Sequence, residues 1–143
     1  MFDFSNKKLI VLIIILIAPL SIFEESILHY FTTKNIDQKI QTITISGQKF
    51  NLEFADTEQK REQGLSGRAS LPKDSGLLFT FDKPDYHGFW MKDMKFPIDI
   101  VWLNDKKEML SITRNLQPKS YPKIFYPPQE VRYVLEINTG IIP

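Results

Sequence analysis

The stretch that decides the fold is Phe89–Leu103, FWMKDMKFPIDIVWL, in which apolar residues surround a single carboxylate, Asp99, near the end. The second half, Ile98–Leu103, has the pattern of a strand, in which successive side chains point to opposite faces. Alternation divides the strand into two faces: Ile98, Ile100 and Trp102 against Asp99, Val101 and Leu103. Because both faces are largely apolar, we predict that this strand has neighbours on both sides and that Asp99 is buried.

A buried carboxylate needs partners, since an unpaired charge in an apolar interior costs several kcal/mol (roughly 3–5). We therefore predict that Asp99 is mainly a structural tie, held by Arg68 and by the backbone amides of Lys92–Lys95. Such a tie would lock a helix turn to the aromatic loop. A role in ligand binding or catalysis is the alternative, in which Asp99 and Glu136 act as general acid and base, as in glycoside hydrolysis.

The rest of the chain predicts a mainly β domain, a small antiparallel barrel or sandwich of about seven strands with one short helix. The predicted strands are Thr42–Ser46, Lys49–Phe54, Leu77–Phe81, Gly88–Met91, Ile98–Leu103, Met109–Thr113 and Val131–Ile137. Asp56, three residues before Gln59, has capping-box spacing for a helix over Thr57–Gln63 that ends at Gly64. Arg114–Pro128 is rich in proline and predicts a long ordered loop. No helical crossover is expected, so no parallel strands are expected either.

The N-terminus carries an uncharged apolar run, Leu9–Phe23, after Lys7 and Lys8. We expect a single transmembrane helix that acts as an uncleaved signal anchor, because no small-residue cleavage site follows it. The lysines place the N-terminus in the cytoplasm and the domain outside it. The expected organisation is an anchor over residues 1–23, a stalk over 24–39 and a β-domain over 40–143. A secreted protein, released after signal cleavage, is the alternative.

Composition excludes several function classes. The 143 residues include 18 basic and 17 acidic side chains, a net charge of +1, so the basic stripe of a nucleic-acid binder is absent and no nucleic-acid partner is expected. Without cysteine there can be no disulfide, thiol nucleophile or Cys-ligated metal. His29 falls in the predicted stalk and His87 in a turn, so neither a metal site nor a cofactor is predicted.

Three segments in this order resemble the uncharacterised DUF192 family: REQGLSGRASLPKDSGLLFTF, GFWMKDMKFPIDIVWLN and VRYVLEINTG. The resemblance covers roughly Lys49–Gly140. It implies a small β-rich domain, often exported or membrane-anchored, of unassigned biochemical function, and it supplies no catalytic residue. Family members usually continue beyond the V-L-E strand, whereas this sequence stops at Pro143, so either the sequence is a fragment or the family's last strand is dispensable here.

Two functions follow as hypotheses. In the first, the domain is an extracytoplasmic binding module that presents the FWMKDM segment to a small polar, anionic or polyhydroxylated ligand, or to an envelope partner. The candidate ligand-binding residues are the polar and aromatic members of the family motifs: Arg68, Trp90, Lys92, Asp99 and Glu136. In the second, the domain is a hydrolase of envelope carbohydrate that uses Asp99 and Glu136. No nucleophile–base pair or metal set can be assembled from the sequence, which favours the first.

Overall fold

Eight strands and one short α-helix form the part of the chain that the computed structural model describes, residues 41–143. The strands are β1 (Gln41–Ile45), β2 (Gln48–Ala55), β3 (Ser75–Asp85), β4 (Phe89–Trp90), β5 (Ile98–Leu103), β6 (Met109–Leu116), β7 (Ile124–Phe125) and β8 (Val131–Asn138). The helix α1 spans Glu58–Gln63, and a 3₁₀ turn spans Pro118–Ser120. The predicted anchor and stalk lie outside the described residues.

Six strands form one sheet in the order β1-β2-β3-β8-β5-β6, and β4 and β7 form a separate antiparallel pair. The large sheet is not closed into a barrel, because β1 and β6 are its two edges. The barrel, one of the two predicted architectures, is therefore wrong, whereas the mainly β class with one short helix is confirmed. Eight strands replace the expected seven because β7 lies inside Arg114–Pro128, which was predicted to be a loop.

One pair of neighbours, β2 and β3, is parallel, contrary to the prediction of an antiparallel sheet. The connection between them runs through α1. A parallel connection needs about a dozen residues, and Asp56–Asp74 supplies enough chain even though its helix has only six residues. This crossover was not predicted, because a helix of six residues is a weak signal for a parallel connection.

Each face of the sheet carries its own apolar cluster. The helix face, beneath α1 and β4, includes Leu77, Phe79, Ile98, Ile100, Trp102 and Val134. The far face includes Phe50, Leu78, Val101, Leu103, Leu135 and Ile137. All six residues of β5 are buried and the strand pairs with both β8 and β6, as its two-sided apolar pattern predicted.

Local signals are confirmed to within a residue or two. Ser46 and Gly47 both have positive φ at the β1–β2 turn, the geometry that tight hairpins prefer. The helix begins one residue later than Asp56 suggested: Thr57 is its N-cap, accepting from the Lys60 amide at 3.3 Å. Asp56 instead pairs with the Lys60 side chain at 2.6 Å. None of the helices in residues 41–143 has the length and apolar character needed to cross a membrane.

Candidate functional site

Asp99 is buried on the far face of β5, where only 1% of its surface is exposed. Its Oδ1 accepts from the Asn115 amide at 2.7 Å and from the Thr139 hydroxyl at 2.8 Å, and its Oδ2 accepts from the Gly140 amide at 3.0 Å. The prediction that Asp99 is buried and held by backbone amides is confirmed. The predicted partners were wrong, because the structure uses neither Arg68 nor Lys92–Lys95 for this purpose.

A β-bulge explains why these partners are available. The pairing of β5 with β6 shifts register between Ile98 and Ile100, and Asn115 on the opposite strand has a φ of 54°. A bulged residue loses its ladder partner, so the Asn115 amide is free to bond the Asp99 carboxylate. Asp99 thereby joins the end of β6 to the turn after β8.

Glu136 lies on the other face of the sheet. In the β5–β8 register Asp99 is opposite Ile137, whereas Glu136 is opposite Ile100, and residues that face one another across strands share a face. The two carboxylates therefore do not face a common cleft. The proposed hydrolytic pair, Asp99 and Glu136, has no geometric basis in this fold.

Arg68 pairs with Glu53 through both terminal guanidinium nitrogens, Nη1 to Oε1 and Nη2 to Oε2, each at 2.9 Å. The side chain of Lys92 is exposed. The helix turn and aromatic loop are nevertheless joined, as predicted, but by other groups: the Ser66 hydroxyl donates to the Lys92 carbonyl at 2.8 Å, and the Gly67 amide donates to the Asp93 carbonyl at 2.9 Å.

A cavity of about 320 Å³ lies on the helix face, between α1 and the segment that leads into β4. Its aromatic walls come from Phe79, Phe81, Phe89 and Trp90, and its charged and polar lining includes Glu58, Arg61, Glu62, His87 and Glu136. Two of the five predicted ligand residues, Trp90 and Glu136, therefore line one cavity. Arg68, Lys92 and Asp99 do not line it.

Glu136 is the buried polar group of this cavity. The side chain is 5% exposed, and its Oε2 has no hydrogen-bond partner among the described residues. Burial raises the pKa of Glu136 to about 8, and the nearby Arg68 guanidinium lowers that pKa only in part. At pH 7 the carboxyl group is therefore mostly protonated, so it can donate as well as accept a hydrogen bond.

Access to Glu136 depends on Gly64, which ends α1 with a φ of 50°. A side chain there would place its Cβ 3.4 Å from Cζ of Phe79 and 3.9 Å from Oε2 of Glu136. The positive φ therefore favours glycine, and a Cβ there would make ordinary contacts while occupying the space beside Oε2 of Glu136.

Arg61 and His87 form one wall through Phe81. The imidazole stacks on the Phe81 ring with centroids 3.5 Å apart, and the Arg61 guanidinium lies 5.4 Å from the centroid of that ring. Arg61 also donates to the Thr80 carbonyl at 3.0 Å. Arg61 was not predicted as a site residue, because an arginine in a short polar helix is usually solvated, and His87 was assigned no role.

Trp90 stands at the rim, 51% exposed, and makes an edge-on contact with Tyr121 at 6.2 Å. Trp102, by contrast, is a core residue: it is fully buried, and its indole donates to the hydroxyl of Thr113 on β6 at 2.8 Å. In the described range no cluster of three or more metal-binding side chains occurs.

Comparisons with known proteins agree on the family and leave the function open. The model of DUF192, described as "Uncharacterized ACR, COG1430", matches residues 41–143. The fold is similar to that of a "putative transcription regulator" from Sinorhizobium meliloti, with a TM-score of 0.64, 32% identity and coverage of 71% of this chain and 79% of that one. It is also similar to a protein of unknown function from Novosphingobium aromaticivorans, with a TM-score of 0.64, 30% identity and coverage of 70% and 72%. No curated protein gives a significant match.

Proposed function

We propose that this chain, which belongs to the DUF192 family of uncharacterised proteins, is a binding module that takes up a small polar ligand in the cavity between α1 and β4. The observation that carries the proposal is Glu136, a buried carboxyl group with an unpartnered oxygen in the cavity lining. Buried polar groups in folded proteins are almost always hydrogen-bonded, and leaving one unpaired costs about 1–3 kcal/mol. A ligand that bonds Glu136 would recover that free energy.

The shape and composition of the cavity also support ligand binding. Small-molecule sites usually have volumes of roughly 300–1,000 Å³ and combine aromatic walls with a few polar groups. At about 320 Å³ the cavity is at the lower end of that range. From the sequence, the whole FWMKDM segment was predicted to contact the ligand. We propose instead that the ligand binds in the cavity, with Trp90 at the rim and Glu136 inside it.

A thermal-shift screen of small polar compounds tests the proposal, because a ligand that binds only the folded state raises the melting temperature. Compounds that act through the cavity should lose their effect in Phe81→Leu, which removes a wall ring. They should keep it in Tyr86→Leu, a matched change at an exposed aromatic residue outside the cavity. If stabilising compounds act equally on both variants, the cavity is not the site.

We also propose that the domain faces the outside of the cytoplasmic membrane, tethered by Leu9–Phe23. The support is the apolar run and the lysines before it. Alkaline phosphatase becomes active only outside the cytoplasm, so a fusion after Pro143 should be active. Green fluorescent protein exported unfolded does not fluoresce, so a fusion at the same position should be dark. An inactive phosphatase fusion with a fluorescent partner would refute this topology.

The description of the Sinorhizobium meliloti protein as a transcription regulator is not extended to this chain. Proteins that bind nucleic acid through phosphate contacts need a concentrated positive surface. Here 18 basic and 17 acidic residues leave a net charge of +1.

A further inference from the structure

The charged groups that line the cavity are mostly acidic. Glu58 and Glu62 on α1 and Glu136 on β8 contribute carboxyl groups, against a single guanidinium from Arg61. Glu58 and Glu62 are exposed to solvent, whereas Glu136 is buried and its Oε2 has no hydrogen-bond partner among residues 41–143. The unmet demand for positive charge or for a hydrogen-bond donor is therefore that of Glu136.

The basic side chains around the cavity are already engaged. Arg61 is held against the Phe81 ring and the Thr80 carbonyl. Arg68 makes its bidentate pair with Glu53, which shares a face with Glu136 two strands away. Lys60 pairs with Asp56. None of the three makes a hydrogen bond or ion pair with Glu136, although Arg68 favours its charged form from a distance, so the carboxyl group remains open to a cation from outside the chain.

The aromatic walls suit a cation as well. Phe89 makes edge-on contacts with Phe79 at 4.8 Å and with Phe81 at 6.5 Å, and Trp90 is exposed at the rim. The faces of such rings carry partial negative charge and attract ammonium and guanidinium groups, with tryptophan the strongest. Aromatic rings beside a carboxylate are the usual surroundings of a bound ammonium group.

We infer that the ligand is a small organic cation, bearing a protonated amine or quaternary ammonium group, whose positive charge pairs with the Glu136 carboxylate among the aromatic walls. This inference rests on the proposed function of the cavity and names its ligand class. It is narrower than the polar, anionic or polyhydroxylated ligand predicted from the sequence, and it sets aside the anionic class, since an anion would meet three carboxyl groups and one arginine.

Binding of a cation is coupled to ionisation of Glu136. The free protein holds the proton up to about pH 8, and the bound cation favours the charged form, so binding releases a proton at neutral pH and becomes tighter as pH rises. The other charged groups around Glu136 are Glu58, Arg61 and Glu62 from α1, Arg68 from the following loop, Glu53 from β2 and His87 before β4. Of these, His87 contributes the one imidazole.

The test compares choline with 3,3-dimethylbutan-1-ol, the neutral carbon isostere of the same shape, on the full-length chain in a mild nonionic detergent. Glucose and sulfate serve as polyol and anion probes. Calorimetric titration should detect choline and not its isostere. If only the ionised form of Glu136 binds, choline affinity should increase about 30-fold between pH 6.5 and pH 9, because the ionised fraction rises by that factor.

Variants assign the effect. Glu136→Gln should reduce choline affinity at least tenfold at pH 9 and abolish the pH dependence, while Glu130→Gln, the same change at an exposed position outside the cavity, should leave both intact. His87→Gln should retain the pH profile. The wild-type profile remains decisive if a variant does not fold.

Each contrary outcome has a distinct meaning. If the isostere or glucose binds in the cavity as tightly as choline, or if sulfate binds instead, the cavity is a ligand site and the cation inference is wrong. If choline affinity does not change with pH, Glu136 is not its partner and the inference is also wrong. If none of the four probes binds at any pH, the cation inference is wrong, and the thermal-shift screen with Phe81→Leu and Tyr86→Leu decides the proposed function separately.

Discussion

Asp99 and Glu136 occupy adjacent cross-strand rows of β5 and β8, yet their physical situations are opposite. Asp99 receives three hydrogen bonds, two of them from backbone amides, so both of its carboxylate oxygens have partners in a buried site. The Oε2 atom of Glu136 receives none from the described residues. The first carboxylate stabilises the fold, and the second is available for a ligand.

Asp99→Asn is expected to destabilise the domain by about 1.5–3 kcal/mol, because the amide group has one acceptor oxygen where the carboxylate has two, and its NH₂ would face a backbone donor. For a domain of this size the melting temperature should fall by about 6–24 °C. Thermal denaturation measures the change. Asp105→Asn, in the exposed β5–β6 turn, is the matched control and should have no effect. An Asp99→Asn protein as stable as wild type would refute the structural role.

Glu136→Gln is expected to act in the opposite direction, with a pH dependence. In the wild-type protein the ordinary pKa of the Glu136 carboxyl group is 4.5 and its folded-state pKa is about 8. The folded state therefore binds more protons than the unfolded state between these two pH values. The stability that this proton contributes is complete below about pH 4.5 and lost as pH rises through about 8. Glutamine does not ionise, so the variant should match wild type at pH 4 and exceed it by roughly 2–5 kcal/mol at pH 9.

Urea denaturation at a series of pH values checks this prediction, with Glu130→Gln as the control that should show no such trend. Equal stability of Glu136→Gln and wild type at pH 9 would mean that Glu136 pays no desolvation cost in the folded protein.

At the level of elements, the parallel crossover β2–α1–β3 creates the cavity. It carries α1 over the sheet, and hydrogen bonds from Ser66 and Gly67 then fix the segment after the helix to the β4–β5 loop. Gly64 ends the helix where the chain passes Glu136. The crossover therefore both connects two strands and builds one side of the proposed binding site.

Two glycines that follow α1 allow backbone strain to be separated from cavity filling. Gly64 and Gly67 both have positive φ, so alanine at either position should cost about 1–3 kcal/mol. A Cβ at Gly64 would lie 3.9 Å from Oε2 of Glu136, whereas a Cβ at Gly67 meets nothing within 4 Å. Both variants should be destabilised in urea, but only Gly64→Ala should lose its stabilisation by choline. Equal choline responses would contradict the proposed position of the site.

The elements that the sequence predicted best are those set by short-range patterns. Strand Ile98–Leu103 was predicted with its observed bounds because alternation and burial act on neighbouring residues. The parallel pairing of β2 with β3 depends on a long connection that leaves no local signal. The cavity combines residues from α1, β3, the β4 region and β8, so Glu136 and Trp90 could be selected as motif members, but their meeting with Arg61 and His87 could not be foreseen.

At the scale of the whole molecule, the described residues contain what a stable fold requires. Residues 41–143 have a core on each face of the six-stranded sheet, with Leu78, Val101 and Leu135 completely buried on one face and Trp102 and Val134 on the other. A domain of this length can bury enough apolar surface to fold alone.

The segment 40–143, expressed without the preceding residues, is therefore expected to be soluble in aqueous buffer and to unfold cooperatively in one transition. Its melting temperature should differ by less than about 4 °C from that of the domain in the full-length chain. Calorimetry compares the two. Aggregation or a non-cooperative melt of residues 40–143 would show that the preceding residues contribute to the core, and the expected division into anchor, stalk and domain would be wrong.

Whether Glu136 is a buried carboxyl group that binds a cation is tested most directly by ¹³C NMR. The side-chain carboxyl carbon of Glu136 is titrated without and with choline, and Glu136→Gln assigns its signal. In the free protein we expect a midpoint near pH 8, because burial raises the pKa of Glu136. With saturating choline we expect a midpoint at least one pH unit lower, because the cation favours the carboxylate. A midpoint near the ordinary value of 4.5 that choline does not move would contradict the account.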